Sequence, residues 1–183
     1  IYESFAKRLT ERVAELSIGP GDQSGVQIGP LIDAEAVAKV EAYIADALAH
    51  GAKIEIGGRR GQQGPLFYEP TVLSGVTQAM RVAREEIFGP VAPLFSFDSE
   101  EEVIAMANAT EYGLAAYFYT LDARRAWRVT EALEYGMVGH NTGLISNEVA
   151  PFGGIKQSGV GREGSRHGME EYQELKYWCS VVE

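Results

Sequence analysis

Between residues 91 and 141, apolar runs and helical periodicities alternate in a single order. Residues 91–97 form a mostly apolar run, although Pro93 removes one ladder donor. Ser99 and Glu102 then make a capping-box pattern for a helix running to Asn108. Residues 114–119 read as a second strand. Asp122 can cap a second helix that carries Ala126, Val129 and Leu133 and stops at Gly136, and residues 137–141 are the third strand. Helical connections of this length favour parallel pairing through right-handed crossovers. The expected class is therefore α/β with a mostly parallel sheet, in which ligand-contacting residues collect in the loops after the strands.

The flanking segments add detail. Residues 2–16 place Phe5, Leu9, Val13 and Leu16 on one helical face. Asp33 can cap a helix striped by Val37, Val40, Ile44 and Leu48 and closed at Gly51. Residues 53–56 alternate as a short strand, residues 57–64 are a Gly- and Arg-rich exposed loop, and residues 67–76 are extended. Residues 142–168 are Gly-rich with little periodicity. A last extended run, residues 174–182, holds Leu175, Tyr177, Val181 and Val182.

Charge and size exclude several classes. The 183 residues carry a formal charge of -10, which disfavours phosphate backbones and anionic lipid as partners. No run approaches the ~18 apolar residues of a membrane span, and no basic start with an apolar signal core opens the chain. Cys179 is the only cysteine, which excludes an intrachain disulfide framework and fits a cytoplasmic location. It sits among Tyr177, Trp178 and Val181, without the cation or helix N-terminus a reactive thiolate needs, and reads as a buried or interface thiol. The three histidines form no metal-ligand spacing, so no metal site is expected. The chain opens at Ile1, without Met, directly in a helical pattern, and we expect a truncated or processed start.

Three motifs carry possible chemistry. Gly159-Val160-Gly161-Arg162-Glu163-Gly164 matches G-x-G-x-x-G, but the preceding residues are loop-like and no second βαβ half follows, so a dinucleotide fingerprint is rejected. Glu85-Glu86-Ile87-Phe88-Gly89-Pro90 lies just before a strand. It reads either as a solvated turn or as a carboxylate beside an aromatic ring, a pair suited to ribose hydroxyls and a planar cofactor. The block from Asn141 to Gly154 begins where a strand ends. It reads either as a surface loop or as a ligand loop.

The hexapeptide at 85–90 together with Pro151-Phe152-Gly153-Gly154-Ile155-Lys156-Gln157-Ser158-Gly159-Val160-Gly161-Arg162-Glu163 resembles the C-terminal part of an NAD(P)-dependent aldehyde dehydrogenase. The longer string from Asn141 to Gly159 is similar to the succinate-semialdehyde dehydrogenase branch. The resemblance covers nearly the whole chain. It implies the three-layer catalytic domain of that family over residues 1–168 and an extended oligomerisation arm over residues 169–183. It further implies that Glu86 binds the nicotinamide ribose, that Phe88 lies beside the nicotinamide, that Phe152 lines the aldehyde tunnel, and that Ser146 helps bind the substrate's distal carboxylate. NAD or NADP is the implied cofactor, a small aldehyde the implied substrate, and a homo-oligomer built through the arm the implied assembly.

In that family a cysteine thiolate attacks the aldehyde, hydride passes to the cofactor, and the thioester is hydrolysed. The resemblance implies that this cysteine and the general-base glutamate lie before Ile1. The chain by itself is then expected to be inactive. A reading from a different class is a non-catalytic α/β assembly module.

Overall fold

The computed structural model describes residues 1–182, which fall into two compact units, Ile1–Phe97 and a second from Asp98 onward. In the first, helix α1 (Tyr2–Ala14) is followed by α2 (Ala34–Ala49), strands β1 (Lys53–Ile56) and β2 (Thr71–Ser74), a 3-10 turn (Arg81–Ala83) and strand β3 (Val91–Pro93). The cap expected at Asp33 is present: its side chain accepts a hydrogen bond from the Ala36 amide at 2.8 Å. The α2 stripe drives the packing. Val37, Val40, Tyr43, Ile44 and Ala47 are buried in a cluster with Leu73, Val76, Met80 and Val82. Each large apolar side chain buried in this way contributes roughly 1.5–3 kcal/mol relative to exposure. Every residue of β2 is buried, as befits a strand covered on both faces.

The α1 stripe holds in part, with Leu9, Val13 and Leu16 half-buried. Phe5 is exposed and Ala6 is buried, because Tyr2 anchors the helix. The Tyr2 hydroxyl donates to the Leu94 carbonyl at 3.2 Å and accepts from the Gly75 amide at 2.8 Å. That anchor turns the Ala6 side inward.

The second unit holds α3 (Glu100–Asn108), β4 (Tyr112–Gly113), β5 (Ala115–Phe118), α4 (Ala123–Ala132), β6 (Met137–His140), β7 (Ile155–Lys156) and a 3-10 stretch (His167–Tyr172). Both helices are capped as the sequence predicts. Ser99 accepts from the Glu102 amide at 3.1 Å, and Asp122 accepts from the amides of Arg124 and Arg125. These amide bonds, led by that from Arg125, hold the Asp122 carboxyl below its ordinary value. Strands β5 and β6 pair in parallel, from Ala115 opposite Met137 to Phe118 opposite His140. This is the crossover expected around α4.

The mostly parallel sheet expected from the sequence is not what forms. The sheets are mixed: β1 pairs antiparallel with β2, β2 parallel with β3, and β4 antiparallel with β7. The strand of the 91–97 run is shorter than expected, Val91–Pro93, with a further bond from the Leu94 amide to the Leu73 carbonyl at 2.8 Å. The run at 174–182 forms no strand among the described residues, and Leu175, Tyr177, Trp178, Val181 and Val182 are exposed there. Cys179 is exposed as well, so the expectation of a buried thiol fails and the interface alternative is left. No described helix is long and apolar enough to cross a membrane.

Candidate active site

In the first unit the two adjacent glutamates do different things. Glu85 is tied down. Arg81 grips it with Nε to Oε1 at 2.8 Å and Nη2 to Oε2 at 3.0 Å, and the Tyr43 hydroxyl donates to Oε2 at 2.9 Å. The Arg81 guanidinium also lies 4.6 Å over the Tyr43 ring. Its backbone amide donates to Asp46 at 2.9 Å. The Arg81 hydrogen bonds, then that from Tyr43, lower the Glu85 carboxyl from its ordinary 4.5 to about 2. Burial, then the Glu85 hydrogen bond, raises the Tyr43 phenol.

A folded-state value below the unfolded one means that stability is gained above pH 4.5 and lost as pH falls towards about 2. Acid unfolding of the chain is therefore expected to lose part of its pH slope between those limits in Glu85→Gln. A slope identical to that of the parent sequence counts against the grip seen here.

Glu86 is exposed and makes no hydrogen bond among the described residues. The next three positions explain why. Ile87 packs against the core cluster. A Cβ on Gly89 would stand 2.5 Å from Val40 Cγ2, so only glycine sits there without displacing α2. With Ile87 and Gly89 turned inward, Glu86 and Phe88 turn outward. Phe88 is 80% exposed and has φ of 49°, a left-handed conformation that a bulky residue adopts only when its surroundings impose it. The result is an unengaged carboxylate beside an uncovered aromatic ring. This arrangement fits a ligand with vicinal hydroxyls and a planar ring, the features of a nicotinamide nucleoside.

In the second unit the loop after β6 is aimed by Asn141. Its side chain accepts from the Thr120 amide at 2.9 Å and donates to the Thr120 carbonyl at 2.8 Å, locking together the loops that follow β5 and β6. Its φ of 58° is one asparagine tolerates. Ile145 folds back over Gly139, where a Cβ would meet its Cγ2 at 3.0 Å. Ser146 is left exposed with its hydroxyl unbonded among the described residues.

Phe152 lies further along the same loop. Its backbone exchanges two hydrogen bonds with Glu163, at 2.9 and 2.7 Å. Arg162 Nη1 donates to the carbonyls of Gly154 at 2.7 Å and Gly161 at 2.9 Å, stitching the Gly-Gly turn to the chain that returns past it. Lys156 holds the far side of the turn through the Asn108 and Thr110 carbonyls and the Glu134 carboxylate. Phe152 lines a cleft of about 710 Å³ with Leu114, Ser158, Arg162, Met169 and Tyr172. Ser146 is not part of that cleft. The Gly159–Gly164 match forms part of the cleft wall and opens no helix of the length a dinucleotide site needs.

Arg81, Tyr43, Asn141, Arg162 and Lys156 hold the candidate residues in place; Asn141, Lys156 and Arg162 stand in the quoted motifs, but none of these holding roles was read from the sequence. The i, i+4 spacing of Arg81 and Glu85 was the one legible signal. Asn141, Arg162 and Lys156 act mainly through backbone carbonyls and amides, and Tyr43 through the Glu85 carboxylate, all brought together by the fold.

The first unit presents a carboxylate and a ring on one loop, and the second a stitched Phe-Gly-Gly turn beside a cleft. The chain belongs to the aldehyde dehydrogenase family, whose profile matches residues 1–178. It is 59% identical over 179 residues to the NADP(+) succinate-semialdehyde dehydrogenase GabD of Escherichia coli K12, covering 98% of this chain and 37% of that protein. A glutarate-semialdehyde dehydrogenase of Pseudomonas aeruginosa is also 59% identical, with the same coverage of both chains. The crystal structure of succinate-semialdehyde dehydrogenase from Burkholderia pseudomallei superposes with a TM-score of 0.97 at 60% identity, over 99% of this chain and 38% of that one. The chain thus spans under two-fifths of the length of these relatives.

Proposed function

We propose that these residues are the C-terminal part of an NAD(P)-dependent aldehyde dehydrogenase that oxidises a short semialdehyde to the carboxylic acid, succinate semialdehyde first among candidates. The observation that carries this reading is the outward pair Glu86 and Phe88, held on a segment whose other residues face the core. Relatives of equal identity are named for succinate and for glutarate semialdehyde, which share a distal carboxylate and differ in length. The named relative that specifies its cofactor uses NADP(+), so NADP is the first cofactor to test and NAD the second. When bound, that cofactor accepts hydride from the substrate.

The residues of this chain act around that step. Glu86 accepts hydrogen bonds from the ribose hydroxyls, Phe88 flanks the nicotinamide ring, and Phe152 shapes the approach of the aldehyde while excluding water. Ser146 donates its hydroxyl to the distal carboxylate. Residues 1–168 form the catalytic-domain portion and residues 169–183 an arm through which copies associate in the cytoplasm. The chain alone does not turn over, because its only cysteine, Cys179, lies exposed in that arm.

The test is an assay of the full-length enzyme with succinate semialdehyde and NADP or NAD, beside Ser146→Ala and the isolated 183-residue chain. Losing one hydrogen bond to a charged group costs about 1.5 kcal/mol, so the Michaelis constant for the semialdehyde is expected to rise about tenfold at little-changed kcat. An unchanged constant removes Ser146 from the substrate site. Aldehyde oxidation by the isolated chain overturns the division of labour proposed for it.

A further inference from the structure

The fork of Arg81 on Glu85, and the stacking of Arg81 on Tyr43, leave a question. A half-exposed ion pair of this kind contributes little to stability. Yet two further side chains engage it, Tyr43 at the carboxylate and Asp46 through the Arg81 backbone amide. The Tyr43 hydroxyl donates to Glu85 at 2.9 Å from a residue that is itself 2% exposed. Asp46, one turn further along α2, takes the Arg81 amide. The 3-10 turn is thereby strapped to α2 at two points, and the strap ends one residue before Glu86.

On the other side of Glu86, Ile87 enters the core and Gly89 rests on Val40 of the same helix. The outward pair is therefore suspended between a polar anchor and an apolar one, both set in α2. The apolar anchor fixes the distance from the core. The polar anchor, with two directional bonds from Arg81 and one from Tyr43, fixes rotation about the chain axis. A strained φ at Phe88 persists only where such neighbours over-determine it.

We propose that Glu85 is a positioning residue: held by Arg81 and Tyr43, it sets the direction in which Glu86 meets the cofactor ribose. This rests on the cofactor role proposed above for Glu86. The adjacent glutamates divide one task, Glu85 engaging the scaffold and Glu86 the ligand.

The experiment compares variants of the full-length enzyme. Glu85→Gln keeps the shape and drops the charge that holds the fork, and Tyr43→Phe removes a single hydroxyl. Glu85→Gln is expected to raise the cofactor Michaelis constant about tenfold and Tyr43→Phe about threefold, while the aldehyde constant stays within error. Arg81→Ala behaves like Glu85→Gln, and Arg81→Lys recovers part of the loss because one charged donor remains. In hydrogen exchange, amides 85–89 of Tyr43→Phe exchange faster than in the parent sequence while the α2 amides do not.

If these variants leave the cofactor constant within twofold while Glu86→Gln raises it, the positioning role is overturned and the reading of Glu86 stands. If Glu86→Gln also leaves it unchanged, the cofactor reading fails and takes this inference with it. A fall in urea midpoint with both constants shifted together marks the strap as structural only and overturns the inference.

Discussion

Gly136→Ala is expected to destabilise the second unit by about 3 kcal/mol or more, the range reached when a new side chain must displace backbone. A Cβ at this position would collide with the Gly153 carbonyl oxygen and stand 2.8 Å from Gly154 Cα. The Gly136 amide is meanwhile held by the Gly113 carbonyl at 3.0 Å, so the residue cannot retreat without giving up that bond. Relief has to come from the Phe152-Gly153-Gly154 turn, which Glu163, Arg162 and Lys156 hold from three directions. Urea unfolding followed by tyrosine and tryptophan fluorescence measures the loss. Gly143→Ala is the control: its nearest neighbour is the Tyr119 hydroxyl at 3.8 Å, and the expected change is within about 0.5 kcal/mol. Equal effects from both substitutions would mean that the close approach at Gly136 is not made.

Glu86→Gln separates function from folding in the opposite way. The side chain is exposed and touches no hydrogen-bonding partner in the protein, so stability should be unchanged. In the full-length enzyme, kcat/KM for the nicotinamide cofactor should fall about ten- to a hundredfold, the worth of one or two hydrogen bonds to a charged acceptor. Steady-state kinetics with cofactor varied at saturating semialdehyde give the number. An unchanged kcat/KM would leave the carboxylate as solvated surface and return the hexapeptide to the plain turn that composition alone suggests.

Helix boundaries and caps were legible because each depends on residues a few positions apart. Asp33, Ser99 and Asp122 announce their helices, and the α2 stripe announces its buried face. The parallel pair β5–β6 followed from the crossover length around α4. Pairing partners were less legible. That β2 lies between an antiparallel β1 and a parallel β3 depends on packing across distant segments, which no local pattern encodes. Phe5 was misplaced for a similar reason: the helical face was read from apolar spacing, whereas the hydroxyl of Tyr2 decides the rotation of α1.

The candidate site shows the same division. Glu86, Phe88, Ser146 and Phe152 stand out through motifs that resemblance assigns, and three of the four are exposed while Phe152 is half-buried. What holds them was hidden. Arg162 looks like a surface cation and spends its donors on carbonyls. Asn141 reads as the end of a strand and clamps a loop twenty-one positions away. These roles depend on backbone atoms, which carry no letter in the sequence.

The alternation from Glu86 to Gly89 has an evolutionary consequence. Loss or gain of a single codon between Glu85 and Pro90 would take Ile87 off the core cluster or Gly89 off Val40, and would move the outward pair with them. Point changes at Glu86 or Phe88 can be sampled one at a time by a drifting gene, but a one-residue indel here disturbs both anchors at once. The length of this hexapeptide should therefore stay constant in functional descendants even where its letters vary.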